Sequence, residues 1–461
     1  MFDNFLLNTD SYKASHAFQY PPGTEYVYSY IESRGGKFDR TVFFGLQMFL
    51  KEYLSKPITQ AMIDEAAEFW AAHGEPFNKD GWEYILAKYD GYLPVEVKAV
   101  PEGLVLPVHN VLCTIVNTDP KCFWLTTFIE TSLLRAIWYP TTVSTLSWHC
   151  KQIIRNALEE SSEDVEGQLP FKLHDFGARG VSSNESAAIG GAAHLVNFMG
   201  TDTVSGMLWA RRYYMAGVCG FSIPAMEHST VTSWGRENEV EAYRNMLRQY
   251  GKPGSLVACV SDSYDIFEAC RKWGTELKQE VIDSGAIVVV RPDSGDPAVV
   301  VPECARILES KFGSVVNNKG YRVLNNVRII QGDGIDHETI RKILWQLDAA
   351  GFSADNVAFG QGGALLQQLN RDTCKFAMKC SAIKINGEWR DVYKDPVTDT
   401  GKRSKKGRLV LIRENGKWET IHANTGYDWA DALHTVFLNG EVTKEHTFDE
   451  VRETSNRKAL D

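Results

Sequence analysis

Between about residue 166 and residue 384 one unit keeps returning: a short apolar run, a polar turn that contains glycine or serine, and a helix-like segment. Phe171-Lys172-Leu173 leads into His174-Asp175-Phe176-Gly177-Ala178-Arg179-Gly180, and the apolar stretch 195–199 into Gly200-Thr201-Asp202-Thr203. The stretch 220–224 leads into Glu227-His228-Ser229, and 256–260 into Ser261-Asp262-Ser263-Tyr264-Asp265. Then 286–290 precedes Arg291-Pro292-Asp293-Ser294-Gly295, 327–330 precedes Gln331-Gly332-Asp333-Gly334, and 357–359 precedes Gly360-Gln361-Gly362-Gly363. Near-continuous apolar runs such as Ile287-Val288-Val289-Val290 suit parallel strands covered on both faces. Strand, turn and helix repeated in this way predict an α/β protein, an irregular β/α barrel, with a doubly wound open sheet as the alternative. In both architectures ligands bind where the strands end, so these turns converge on one cavity.

The rest of the chain is mixed. Ile63-Asp64-Glu65-Ala66-Ala67-Glu68-Phe69-Trp70 and the stretch 123–138 carry apolar residues at helical spacing. Lys98-Ala99-Val100-Pro101-Glu102-Gly103-Leu104-Val105-Leu106-Pro107 reads as two short strands around a turn. Asp336 predicts a helix cap ahead of Ile340, Ile343, Leu344 and Leu347, with a stop at Gly351. A polar boundary at 159–167 divides an N-terminal α+β segment, 1–165, from a barrel over 166–384. The remainder, 385–461, is expected to pack back on the N-terminal segment as part of a second, smaller α+β domain.

Acidic residues outnumber basic ones, and the 461-residue chain has a formal net charge of -10. No basic footprint for nucleic acid is present, so any phosphate chemistry must be local. The nine cysteines lack a C-x-x-C pair and several lie in apolar runs, which predicts reduced, buried thiols. The first residues show no signal-peptide pattern, and no stretch is long and apolar enough to span a bilayer. A cytoplasmic protein without membrane partners is expected.

Several turns carry candidate chemistry. The Gly360-Gln361-Gly362-Gly363 and Gln331-Gly332-Asp333-Gly334 turns could cradle a phosphate on backbone N–H groups, or be simple tight turns. No Walker or Rossmann glycine pattern is present. Arg291 can grip a phosphate and Asp293 a ribose hydroxyl or a metal-bound water, against a purely structural ion pair. His228 beside Glu227 could be oriented by Asp262 and Ser263, against a satisfied structural histidine. Asp202 is either a helix cap or an acceptor in a pocket, and Phe176 either core or a platform for a flat ring. Lys402-Arg403-Ser404-Lys405-Lys406-Gly407-Arg408 is a solvated loop or a phosphate-grabbing one, with nucleic-acid binding third. The other histidines show no metal spacing, and no metal ligands are assigned.

Together with Thr9-Asp10-Ser11-Tyr12-Lys13 and Lys172-Leu173-His174-Asp175-Phe176-Gly177-Ala178-Arg179-Gly180-Val181-Ser182-Ser183, these blocks resemble the nicotinamide phosphoribosyltransferases, a type II phosphoribosyltransferase family. The resemblance covers about residues 4–452. It implies a homodimer with shared sites that converts nicotinamide and phosphoribosyl pyrophosphate to nicotinamide mononucleotide and pyrophosphate with Mg²⁺; nicotinate is the alternative base. It implies that Phe176 and a second copy's Tyr12 sandwich the pyridine ring, that Asp202 accepts from the carboxamide, and that Arg179 and Arg291 meet the ring amide or phosphates. It places Asp293 on the ribose, and Gly332, Asp333, Gly362 and Gly363 around the 5′-phosphate and ribose. Arg34 from the second copy, Arg371 and Lys379 meet phosphates in this scheme. His228 is phosphorylated by ATP with support from Glu227, Asp262 and Ser263, while Lys394 and Lys402 position that ATP. Gln361 and Ala364 depart from the family's pattern of Ser and a further Gly, and the 33–40 segment is shorter than in eukaryotic members. A phosphosugar lyase or isomerase on the same barrel would need a strand-end lysine or carboxylate base, and no such lysine stands out. A non-catalytic nucleotide-binding protein could dispense with Arg291, Asp293 or His228, and all are present.

Overall fold

The computed structural model describes residues 4–398, 403–423 and 428–457. The chain divides into two compact units: Met1–Thr145 with Ala210–Ala216 and Asn370–Asp461, and Leu146–Trp209 with Gly217–Leu369.

The second unit holds a parallel sheet in the order Gly200–Thr201, Leu173–Asp175, Val357–Gln361, Val327–Gln331, Ile287–Arg291, Leu256–Val260. Between its two edges runs the segment 221–226. Thr201 N–H donates to the Phe221 carbonyl at 3.0 Å, and Ala258 N–H to the Pro224 carbonyl at 3.0 Å. Parallel bridges pair Gly200 with Phe221 and Ala225 with Ala258, so the curled sheet is joined edge to edge by irregular backbone. Most strands follow the repeat. The apolar stretch 195–199 does not: it closes the helix Asn184–Leu195, and the strand begins only at Gly200.

Strand side chains alternate between faces with a period of two. One set, including Val257, Val288, Val290, Ile329 and Phe359, is fully or almost fully buried. The other set brings together Ala258, Val289 and Ile330, with Phe176, Ile223 and Ala358 packed against them. Two residues beyond Val289, Ile330 and Ala358 on this face come Arg291, Gly332 and Gly360. The period therefore carries them toward the strand ends on the face that Phe176 occupies.

The first unit is built on a seven-stranded sheet in the order Glu388–Asp391, Phe376–Ile385, Thr24–Ser33, Val111–Asn117, Val95–Ala99, His434–Leu438, Glu441–Val442. All its pairings are antiparallel. Residues 434–438 pair with 95–99, so the chain's end returns to its beginning through sheet hydrogen bonds. The boundaries differ from those read in the sequence. Phe376–Ile385, assigned there to the end of the barrel, pairs along Thr24–Ser33 in the antiparallel sheet. The N-terminal limit falls inside the helix Leu125–Ser161, which runs on past Pro140 rather than ending near residue 138. Gly45, with φ +108°, lies so close to this helix that a Cβ there would be 2.3 Å from Pro140 Cγ. The antiparallel unit also holds slightly more of the chain than the barrel unit, not less. The two strands read around Pro101-Glu102-Gly103 do not pair with each other: Val95–Ala99 joins the large sheet, and Val105–Pro107 pairs with Arg40–Val42. The Asp336 cap is in place, its carboxylate accepting from Thr339 N–H ahead of the helix His337–Ala349.

All nine cysteines are free, and all but Cys380 are buried. Among the described residues no helix is long and apolar enough to cross a membrane.

Candidate active site

A cavity of about 410 Å³ occupies the interior of the barrel unit. At the strand ends it is lined by His174, Phe176, Asp202, Ser222, Ile223 and Arg291, and toward the strand beginnings by Lys172, Arg328 and Asp355. Its apolar wall is the Ala258, Val289 and Ile330 cluster.

Phe176 follows the short strand Leu173–Asp175 and is held there by its N–H, which donates to the Gln361 carbonyl at 3.0 Å. Its ring lies directly over Gly360: a Cβ at 360 would stand 1.8 Å from Phe176 Cε2. A Cβ at Gly332 would come within 3.2 Å of the same atom and 3.5 Å of Asp293 Oδ1. Two glycine turns and an aromatic ring thus form one wall, with the ribose candidate Asp293 beside it. The turns come from strands that pair directly, Val327–Gln331 and Val357–Gln361. Gln331 Nε2 braces its turn by donating to the Asp333 carbonyl at 2.9 Å. The helix after the second turn, Gly363–Leu366, is a single turn, shorter than the segment 364–369 read in the sequence. Backbone N–H groups rather than a helix dipole are what this turn can offer an anion. Gln361 does not join the wall. It is fully buried, and Cys150 Sγ approaches its Oε1 at 3.9 Å, so this departure from the family pattern lies on the opposite strand face from Gly360.

Asp202 does not cap a helix with its side chain. Its Oδ1 lies 3.0 Å from His174 Nε2 and accepts from Ser222 Oγ at 2.5 Å. Burial would raise its carboxyl, but the hydrogen bonds from His174 and Ser222, with the charge of Arg291, hold it below the usual carboxylate range. Oδ2 has no hydrogen-bond partner among the described residues. His174 and Ser222 are residues that sequence reading left without a role. They lie 28 and 20 positions from Asp202 and reach it only because Leu173–Asp175, Gly200–Thr201 and the segment 221–226 are neighbours.

Arg291 stands 3.7 Å from Asp293 Oδ2, and its buried Nε has no partner among the described residues. That loose pair leaves a guanidinium available to an anion. Burial raises the Asp293 carboxyl, Arg291 opposes it, and Asp262 and Asp333 add to it. Arg179 is exposed in a short turn, Ala178–Gly180.

His228 opens the short helix His228–Thr232, with Nε2 3.0 Å from Asp262 Oδ1. Asp262 is 4% exposed, and its other oxygen accepts from Ser294 Oγ at 2.6 Å. The structure therefore brings together His228, Asp262 and Ser294. It does not bring in Ser263, whose buried hydroxyl has no partner among the described residues, nor Glu227, whose carboxylate accepts from Ser229.

The remaining candidates belong to the antiparallel unit. Arg34 Nε donates to Glu32 at 2.8 Å, leaving Nη2 buried without a partner among the described residues. Lys379 sits opposite Tyr30 in the sheet, and burial pulls its ammonium below its ordinary value. Arg371 and Lys394 are exposed, and Tyr12 is 54% exposed. Much of the basic run is spent on its own unit: Arg403 pairs with Asp395, Lys405 with Glu32, and Lys406 and Arg408 lie over the rings of Tyr393 and Trp389. Lys402 lies outside the described residues. Among the described residues no group of three or more His, Cys, Asp or Glu side chains could hold a metal ion.

Solved structures share this architecture. Nicotinate-nucleotide pyrophosphorylase from Pyrococcus furiosus superposes with a TM-score of 0.63 at 17% identity, covering 99% of this chain and 95% of that one. Human nicotinic acid phosphoribosyltransferase superposes with a TM-score of 0.55 at 16% identity, covering 97% and 93%. The fold is that of the type II phosphoribosyltransferases. Residues 171–441 match the model of the nicotinate phosphoribosyltransferase (NAPRTase) family, and residues 4–97 that of the nicotinamide phosphoribosyltransferase N-terminal domain. Nicotinamide phosphoribosyltransferase of Xanthomonas campestris pv. campestris is 59% identical over 458 residues, 98% of this chain and 97% of that protein. The protein of the same name from Acinetobacter baylyi is 34% identical, covering 98% and 96%. The chain belongs to the nicotinate phosphoribosyltransferase family, within its nicotinamide phosphoribosyltransferase group.

Proposed function

We propose that the protein joins nicotinamide to the phosphoribosyl group of phosphoribosyl pyrophosphate, giving nicotinamide mononucleotide and pyrophosphate in NAD salvage. One observation carries the choice of base: Asp202 is held ionised on the ring cavity with Oδ2 unpartnered. An amide N–H satisfies that oxygen. A substrate carboxylate about 4 Å away would instead cost about 4 kcal/mol at an effective dielectric near 20, roughly a thousandfold.

In this reading Phe176 stacks one face of the pyridine, and Tyr12 of a second copy the other. The ring nitrogen's lone pair forms the bond to C1 of the ribose as the C1–O bond to pyrophosphate breaks, and the electron pair leaves with pyrophosphate. No covalent nucleophile is needed. Catalysis rests on cations around the departing anion and on donors and acceptors fixed about the ribose. Arg291, on the cavity, and Arg179, in the turn after Phe176, are the cationic candidates of the barrel unit. Asp293 takes the ribose hydroxyls, while Gly332, Asp333, Gly362 and Gly363 surround the ribose and its 5′-phosphate. Mg²⁺ would be held here by one or two carboxylates together with the substrate's phosphates. Asp293 and Asp333 are the carboxylates that could meet it, and its chemistry there is neutralising charge on the leaving group.

ATP enters through His228. Asp262 accepts the Nε2 proton and leaves the Nδ1 lone pair to attack the terminal phosphorus of ATP. The bond to ADP breaks, and its electron pair departs with ADP. Ser294 holds Asp262 for this role.

The test is turnover of purified protein with phosphoribosyl pyrophosphate, Mg²⁺, ATP and either base. Nicotinamide mononucleotide is the expected product. Formation of the nicotinate mononucleotide alone would overturn the assignment.

A further inference from the structure

The contacts on Asp202 are lopsided. Both of its donors, His174 Nε2 at 3.0 Å and Ser222 Oγ at 2.5 Å, fall on Oδ1, and neither falls on Oδ2. A freely rotating half-exposed carboxylate has no reason to present one chosen oxygen to a ligand; two donors converging on one oxygen remove that freedom. The donors are themselves placed. His174 is 13% exposed, packs against Phe176 with ring centroids 5.1 Å apart, and is backed by Gly200, where a Cβ would lie 2.8 Å from Nδ1. Ser222 sits on the irregular segment that joins the sheet edges. Because Asp202 is ionised, it can only accept, so Nε2 of His174 is the donor of the bond they share.

We infer that His174 and Ser222 are specificity-determining positioning residues, which clamp Oδ1 of Asp202 so that Oδ2 is always offered to the base as an acceptor. The inference rests on the proposed base and adds to it. Discrimination between an amide and a carboxylate then belongs to three residues, not to Asp202 alone. Without the clamp Asp202 can rotate or take up a proton. A protonated carboxyl can donate to a nicotinate oxygen, so the barrier to the acid falls while acceptance of the amide weakens. The clamp touches the base's substituent through Asp202 and never the reacting atoms, so its loss moves KM for the base more than kcat.

The test uses the full-length protein and the variants Ser222→Ala, His174→Ala and His174→Gln, with kcat and KM measured for nicotinamide and nicotinate separately. Ser222 is exposed, so its truncation leaves the fold intact; thermal melting checks the histidine variants. Each alanine variant is expected to raise the nicotinamide KM about tenfold with kcat changed much less, and to narrow the amide-to-acid ratio of kcat/KM by at least that factor. His174→Gln, whose amide can donate from near the Nε2 position, is expected to restore most of the ratio. An unchanged ratio in Ser222→Ala and in folded His174→Ala would overturn the inference, as would equal losses of kcat for both bases. A wild-type protein that turns over neither base, or prefers the acid, would sink the proposed base instead, so the two failures are distinguishable.

Discussion

Gly360→Ala isolates the geometry on which the proposed ring binding depends. The added Cβ would stand 1.8 Å from Phe176 Cε2, 2.2 Å from Cδ2 and 2.7 Å from Cζ. Ordinary carbon contacts lie at about 3.5–4.0 Å, so the ring edge must retreat by roughly 1.5–2 Å. The ring can swing about its own torsions, and its neighbours Ala258, Val289 and Ile330 must then give way. Overpacking of this kind costs about 1–3 kcal/mol of stability. Catalysis should suffer more than folding, because a platform displaced by over 1 Å misplaces the pyridine, and a misplacement of that size costs about 100-fold in rate. The expected result is a fall of about 100-fold in kcat/KM for nicotinamide, near 2.7 kcal/mol in the barrier, with a denaturation midpoint still well defined. Steady-state kinetics and urea unfolding read the two quantities. A double-mutant cycle assigns the cause: in a Phe176→Ala background the added methyl should cost little stability. Near-wild-type kinetics in Gly360→Ala, or the same stability cost with and without the Phe176 ring, would refute the argument.

Asp202→Asn removes the charge proposed to reject a carboxylate, so the nicotinamide KM should rise and the amide-to-acid ratio fall, by up to roughly a thousandfold; unchanged kinetics with both bases would remove Asp202 from recognition. His228→Ala should abolish stimulation by ATP and the release of ADP that accompanies product, followed by a coupled ADP assay, and a stimulation that persists would count against the phosphohistidine. Lys172 gives a pH signature. Burial pushes its ammonium down to about 7, whereas the unfolded chain holds that proton until about 10.4. Above pH 7 the unfolded state therefore binds more protons, and stability rises with pH by up to about 1.4 kcal/mol per unit. The window is pH 7–8, because buried thiols such as Cys259, raised by burial, oppose the trend above the ordinary cysteine range of about 8.5. Urea unfolding of wild type and Lys172→Met reads it: the slope should be present in the first and flattened in the second, and a flat wild-type curve would refute the charge assignment.

How far the site could be read in advance follows the range of the interactions. Each strand-end turn was visible, because a turn and its flanking run are local, and Phe176, Asp202, Arg291 and Asp293 were found there. The helix Gln60–His73, with Thr59 capping it and Gly74 closing it at φ +92°, was equally local. The structure differs from the reading where partners are remote. Phe376–Ile385 carries a strand pattern that fits either sheet, and only its pairing with Thr24–Ser33 decided which. Ser263 sits next to Asp262 in the chain, yet Ser294, 32 positions away, supplies the hydroxyl.

The amino-acid order by itself determined the repeat of strand, turn and helix, the residues offered at the strand ends, and the resemblance that names the chemistry. These depend on spacings of two to four residues, which a linear pattern records. Tertiary structure alone decided that Gly360 underlies Phe176, that Gln361 faces away from the site, and that His174 and Ser222 share one oxygen of Asp202. Those contacts follow from the order and register of strands in a curled sheet, and no stretch of sequence contains the distance between two strands that meet only when the chain closes.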